Sequence, residues 1–425
     1  MTSTPTGKTE FRPMAICCAL FFILGFITWA NGTLIPFLKI ACNLETDLQA
    51  FFVTFASYIA YFFLAIPSSW ILKKIGFQNG LVVSLIILGL GSLVFIPAAD
   101  NRSYGLFLAG IFIQGSGMAL LQTAVNPYLS IIGPIDSAAQ RISIAGFFNK
   151  TAGIIVPILF GTLFLKDAGK VTAQLEAATD VHAQNAILDG LIARVHTPYI
   201  SLAVIFVAFA IFLKFTKLPE VDIDAEDDSD SSQVLVRKTS VFQFPHLFLG
   251  SLAIFFCVAV EVMAGDIIGV YGRELNVNSF FITYATAFTL LCMLFGYIVG
   301  IIAIPRFVSQ QFALRICTIV GLLFTTISVF TTGTTSFIFV ALLGVANSLM
   351  WPAIFPLGIK GLGRFTKTGS AIMIMGIAGG AIWPLVYGFL KDTLHVDFQH
   401  AFLYAMIPAY LYILFFAVKG HRLGK

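Results

Sequence analysis

An all-α membrane protein, with twelve transmembrane helices in two pseudo-symmetric bundles of six, is the fold predicted for this 425-residue chain. Three observations predict it. Hydrophobic residues make up 58% of the chain and charged residues 11%, more apolar surface than one soluble core can hide. That apolar content falls into twelve continuous runs, each close to the roughly 20 residues that cross a bilayer as a helix. The runs are too long for the short alternating segments of a transmembrane barrel. Finally, the second six runs resemble the first six in order and detail.

The expected spans are 13–38, 49–72, 78–98, 104–131, 142–164 and 198–216, then 245–271, 280–304, 312–331, 335–359, 368–391 and 400–419. The run from Met14 is too long for a signal-peptide core and lacks a small-residue cleavage site, so it reads as the first span. An even count puts both termini on one side. With the termini inside, the inner segments hold seventeen Lys and Arg and the outer ones seven, which predicts cytoplasmic termini. The domains follow as 1–216, a linker over 217–244, and 245–425. The linker sequence KLPEVDIDAEDDSDSSQVLVRKTS is acidic, Ser-rich and poor in aromatics, so it reads as flexible. The other long connection, about 166–197, is polar with a helical tendency.

The repeat is carried by four matches in the same order. Gln122 and Pro127 in span 4 align with Trp351 and Pro356 in span 10. Ser143, Gly153, Pro157 and Gly161 in span 5 align with Ser370, Gly380, Pro384 and Gly388 in span 11. A Phe-Phe pair precedes Ala30-Asn31-Gly32 by eight residues in span 1, and another precedes Ala264-Gly265-Asp266 by eight in span 7. The turn KKIGFQNG after span 2 matches PRFVSQQF after span 8. A duplicated six-helix unit is the architecture of alternating-access carriers, whose site lies near mid-membrane between the halves.

A few polar side chains stand inside the spans, where lipid tolerates them only with a water-filled cavity, a partner or a function. Gln122 and Asn126 lie four apart on one face of span 4 and offer donors and acceptors together, which suits a ligand rich in hydroxyls. Asn149 and Lys150 follow in span 5. Lys150 either reaches the inner surface along its stem or lines the cavity and donates to a sugar oxygen or a carboxylate. Asn31 ends the polar set in span 1. Trp351 is the repeat counterpart of Gln122, and Asn347 lies one turn earlier on the same helical face. The candidate substrate-binding set is therefore Asn31, Gln122, Asn126, Asn149, Lys150, Asn347 and Trp351. Span 7 supplies the candidate cation-coupling groups, Glu261 and Asp266. Five residues apart, they differ by about 140° around a helix, so they share a cavity only where the helix breaks, as Gly265 and Gly269 allow. Either carboxyl can load a proton, or hold Na⁺ near Asp266. The bland alternative is a structural pair with Lys150 or Arg273.

Several classes are excluded. The net charge of +4 comes with no basic tract for nucleic acid. The six cysteines lie mostly in apolar runs without metal-ligand spacing. No nucleophile–base set, metal cluster or phosphate loop marks an enzyme. No cofactor is expected beyond the coupling cation, H⁺ or Na⁺. The partners expected are a small sugar and the lipid bilayer, around a monomer.

Three stretches, WANGTLIPFLK, QTAVNPYLSIIGPIDSAAQRISIAGFFNKTAG and FPLGIKGLG, resemble the fucose/galactose/glucose sugar:cation symporter family of the major facilitator superfamily. The resemblance covers essentially the whole chain. It implies a bacterial inner-membrane location and cation-coupled uptake of a monosaccharide. The fucose/proton branch has acids where this chain has Gly32 and Gln122, so the resemblance moves any coupling role to Glu261 or Asp266. It is closer to the glucose, galactose, mannose or N-acetylglucosamine branch. An exporter of greasy compounds would favour an apolar cavity, and a sugar receptor would bind without exchange.

Overall fold

A computed structural model describes residues 11–164, 168–178, 180–216, 218 and 239–424 of the chain. Most of the expected linker, 219–238, lies outside the described residues. Twelve helices among the described residues are long and apolar enough to cross a membrane. Span 1 is Phe11–Ala41, span 2 Phe52–Ile75, span 3 Phe77–Asp100, span 4 Tyr104–Ile131, span 5 Ala138–Phe164 and span 6 His196–Phe215. In the second half, span 7 is Pro245–Gly265, span 8 Ala285–Ala303, span 9 Gln310–Val329 and span 12 Phe398–Val418. The connection between spans 5 and 6 carries helices Ala168–Ala177 and Val181–Ile192, in line with its helical tendency.

Three spans break where the sequence suggested continuity or only allowed a break. Span 7 stops at Gly265, turns at Asp266 and Ile267, and resumes as Ile268–Glu274. Span 10 runs Gly333–Ser348, bends at Leu349, and continues as Met350–Ile359. Span 11 runs Thr366–Met375 and Gly379–Gly388, joined by a tight turn at Gly376–Ala378. That turn lies against span 7. A methyl at Gly379 would collide with the carbonyl of Phe255, so only glycine lets the two backbones come this close.

The two halves pack alike. Span 1 lies on span 5, 3 on 4, 2 on 4, and 3 on 6; in the second half 7 lies on 11, 9 on 10, 8 on 10, and 9 on 12. These are the same four pairings shifted by six spans, which is the pseudo-symmetry the sequence repeat predicts. The bundles meet through span 5 against span 8 and span 2 against span 11. At the end that carries the termini, Gln140 donates to the carbonyl of Ile301 (2.8 Å), Lys73 to Thr368 (3.3 Å), and Lys360 lies 3.8 Å from Asp136. At the opposite end, Gly388 sits against Phe51 and Leu48.

Large apolar side chains such as Leu90, Val204, Phe295, Ile302 and Ile319 point outward and are exposed, as lipid-facing positions should be. Inside, polar groups are tied down. Arg141, which the sequence counted only as an inner positive charge, is buried. It donates to the carbonyls of Leu129, Ser130, Gly133 and Pro134, at 2.7–3.1 Å, and to Ser137 Oγ. It thereby satisfies two carbonyls that span 4 leaves open at its C-terminus, those of Leu129 and Ser130, and two in the turn that follows.

Candidate functional site

A cavity opens between the bundles at mid-span. It is lined by Phe21, Leu24 and Thr28 of span 1, Tyr58 and Tyr61 of span 2, Gln122 of span 4, and Ile142, Gly146, Asn149 and Lys150 of span 5. The second bundle adds Val258 and Glu261 of span 7, Tyr297 of span 8, Trp351 of span 10 and Ile377 of span 11. Gln122, Asn149, Lys150, Glu261 and Trp351 are thus brought to one place from four different spans.

The strongest electrostatic feature is the ion pair of Lys150 and Glu261, one residue from each bundle. Their side chains are only 7% and 15% exposed. An ammonium taken out of water alone would cost several kcal/mol, and the carboxylate offsets this. The ammonium also lies 4.8 Å from the ring centre of Trp29, where the π-face attracts a cation. Lys150 therefore lines the cavity and holds a carboxylate rather than reaching for the surface.

A second polar chain also crosses between the bundles. Gln122 Nε2 donates to Tyr61 Oη (3.1 Å), Asn126 Nδ2 donates to the Gln122 carbonyl (3.0 Å) and side-chain oxygen (3.3 Å), and Trp351 Nε1 donates to Asn126 Oδ1 (3.3 Å). The repeat counterparts Gln122 and Trp351 so meet through one amide. Asn149 lines the cavity while its Nδ2 donates to the Phe21 carbonyl (3.1 Å).

Four of the expected residues lie outside the cavity wall. Asn126 sits behind Gln122 and Trp351, orienting both. Asn347 does not share a face with Trp351, because the bend at Leu349 rotates the two helix segments apart. It is buried within the second bundle, donating to the Val260 carbonyl (3.2 Å) and accepting from Tyr410 (2.7 Å). Asn31 is buried against span 2, with Nδ2 donating to Ser57 Oγ (3.1 Å). Asp266 lies at the break of span 7, where a Cβ placed on Gly32 would be 2.5 Å from its Oδ1. Trp29 lies next to both the ion pair and the residue before Asp266. Its indole rests on Gly265, where a Cβ would come within 2.6 Å of the ring, and faces Lys150 on the same side of span 1.

Sequence reasoning passed over Thr28, Tyr58, Tyr61 and Tyr297. The one signal available was a phenol inside an apolar run, repeated at Tyr58 and Tyr61, three apart. Tyr297 reaches in because Gly146 across the bundle boundary leaves room for its ring, 2.8 Å from where a Cβ would stand.

A sequence model of the Major Facilitator Superfamily matches residues 17–386. The chain belongs to the major facilitator superfamily. Within that superfamily, it is 34% identical over 424 residues to a glucose/galactose transporter of Brucella abortus, with 99% of this chain and 97% of that protein covered. It is 30% identical over 391 residues to the L-fucose-proton symporter of Escherichia coli, covering 91% and 88%. The crystal structure of the major facilitator transporter FucP in its outward conformation superposes with a TM-score of 0.77 at 28% identity, over 96% of this chain and 99% of that one. Fold and family are those of a transporter. Two bundles with a central cavity between them are the form in which major facilitator proteins perform alternating access.

Chemically, the cavity offers amide donors and acceptors, phenols, an ion pair able to hydrogen-bond on several sides, and the indole face of Trp351. It is built for an uncharged, polyhydroxylated solute with apolar C–H faces. A greasy solute would use none of the hydrogen-bonding capacity these groups still have.

Proposed function

We propose that this protein is a secondary active transporter that takes up a monosaccharide by cation symport with alternating access. The observation that carries the reading is the cavity where Gln122, Asn149, the Lys150–Glu261 pair and Trp351 converge from both bundles. The relatives named for glucose/galactose and L-fucose transport support the solute class. The sugar is a hexose such as glucose, galactose or mannose, or N-acetylglucosamine. Gln122, Asn149, Lys150 and Trp351 bind it, with Asn126 holding two of them in place. Span 7 carries the coupling cation, H⁺ or Na⁺, on Glu261 or Asp266. The protein works as a monomer in the bacterial inner membrane with both termini in the cytoplasm, joined at 217–244 between bundles 1–216 and 245–425.

The test is uptake by proteoliposomes of a panel of labelled hexoses, with Na⁺ and pH gradients imposed separately. Accumulation of one hexose against its gradient, driven by one of the two cations, is the expected result. Binding without exchange would make the protein a receptor and overturn the reading. Within that assay, Gln122→Ala lowers uptake about 10- to 100-fold while expression stays intact, since a donor to a buried hydroxyl is lost. Unchanged kinetics would remove Gln122 from the site.

A further inference from the structure

Asp266 occupies a second polar place, apart from the cavity. Its Oδ1 is shut off from solvent and has no hydrogen-bond partner. Two more buried oxygens, where spans 1 and 2 meet, are also unpartnered. One is Asn31 Oδ1, on the residue beside Gly32, whose Nδ2 is spent on Ser57 Oγ. The other is Thr54 Oγ1, one turn before Ser57 on span 2. Asn31 is 3% exposed and Thr54 2%. Asp266 Oδ1 (as a carboxylate oxygen) and Asn31 Oδ1 can only accept, whereas the Thr54 hydroxyl can also donate. A carboxylate left in this state is costly, and a proton on it removes the charge and supplies a donor at once.

Position adds a second argument. Gly32 and Asp266 are equivalent positions of the sequence repeat, and they touch: a Cβ on Gly32 would lie 2.5 Å from Oδ1 and 3.0 Å from Cγ. Two points related by a two-fold axis meet only beside that axis. The carboxyl thus sits at the boundary between the two bundles, near their pseudo-two-fold axis. It also fills the space that a side chain at position 32 would need.

Glu261 is differently employed. It is bonded to Lys150 inside the sugar cavity, and the Trp29 indole lies against both Lys150 and Gly265, the residue before Asp266. The titratable groups facing Asp266 are Glu261 on its own helix, Lys150 on span 5 and Tyr58 on span 2. The first two carry opposite charges and are paired.

From this we infer that Asp266 is the proton-coupling site of the carrier, distinct from the sugar cavity, and that Glu261 serves the sugar site through Lys150. The inference rests on the symport reading above. A proton from water on one face joins a carboxylate oxygen of Asp266 and leaves it to water on the other face. No bond to the sugar forms or breaks.

The experiment uses the full-length protein in proteoliposomes with the hexose that the panel identifies. In the wild type, an inward pH gradient drives accumulation, and adding sugar draws protons from the medium. Asp266→Asn loses at least tenfold of the pH-driven accumulation and all sugar-evoked proton uptake. Its sugar counterflow continues but no longer varies with pH. Glu261→Gln loses counterflow itself. The proposal is overturned by an Asp266→Asn protein that still accumulates sugar on a pH gradient, by a wild type driven by Na⁺ alone, or by a folded Asp266→Asn protein without counterflow. Should Asp266→Asn fail to fold, the double variant Gly32→Asp/Asp266→Gly carries the test, because it returns the carboxyl to the same junction from span 1. Restored pH-driven accumulation supports the proposal, and its absence beside intact counterflow refutes it. A readout without sugar keeps the two readings apart: the infrared carbonyl band of a protonated buried carboxyl, present in the wild type and missing in Asp266→Asn. That band with no hexose exchanged would sink the sugar reading alone; no such band would sink this one.

Discussion

Lys150 and Glu261 depend on each other more than either depends on any other side chain. Removing one leaves an unpaired charge in a low-dielectric setting, which typically costs about 3–5 kcal/mol. Lys150→Met and Glu261→Leu should each lower the melting temperature in detergent, and the double variant should recover most of the loss while transporting nothing. Melting curves of the three proteins check this, and additive losses would mean the pair is not a unit. At this scale the sequence was informative about residue type and silent about company. Gln122, Asn149, Lys150, Glu261 and Trp351 could be picked because polar or amphipathic side chains in apolar runs are rare. That Lys150 would pair with Glu261, 111 positions away, is a fact of bundle geometry that no local pattern encodes.

Helices came through the sequence in nearly their observed bounds, because length and apolarity are what a bilayer demands. Their breaks did not. Asn347 and Trp351 are four apart and share a face in an unbroken helix, yet the bend at Leu349 sends them to different surroundings. The break in span 7 was legible only as a permission granted by Gly265 and Gly269; it falls just after Asp266, whose amide still bonds to Val262, so the two acids keep their helical spacing of about 140°. The turn after span 4 offers a test of how such elements are held. Arg141 gives its donors to four carbonyls and one hydroxyl, in a fork that lysine cannot copy. Arg141→Lys should destabilise the protein by at least about 2 kcal/mol, read as a drop in melting temperature, because buried carbonyls are left unpaired. A packing counterpart lies at Gly265→Ala. Its new methyl would press on the Trp29 ring and cost about 1–3 kcal/mol, which Trp29→Leu should partly relieve in the same measurement.

The molecule as a whole is two like bundles in contact at both ends. Alternating access requires those contacts to part, one end at a time. Cysteines placed at Lys73 and Thr368, on a background with Cys42 and Cys292 replaced, should be joined by a short thiol-reactive cross-linker. Uptake should stop on joining and return when a reductant releases the bridge; transport through the joined protein would show that this end need not open. The ion pair has a consequence at this scale. Its two charges ride on different bundles, so a swing of the unoccupied carrier that parts them leaves both to water alone. A passenger whose hydroxyls bind both ions softens that step. The homeward journey without cargo is therefore the slow leg of the cycle, and solute waiting on the far side should hasten the departure of solute already aboard.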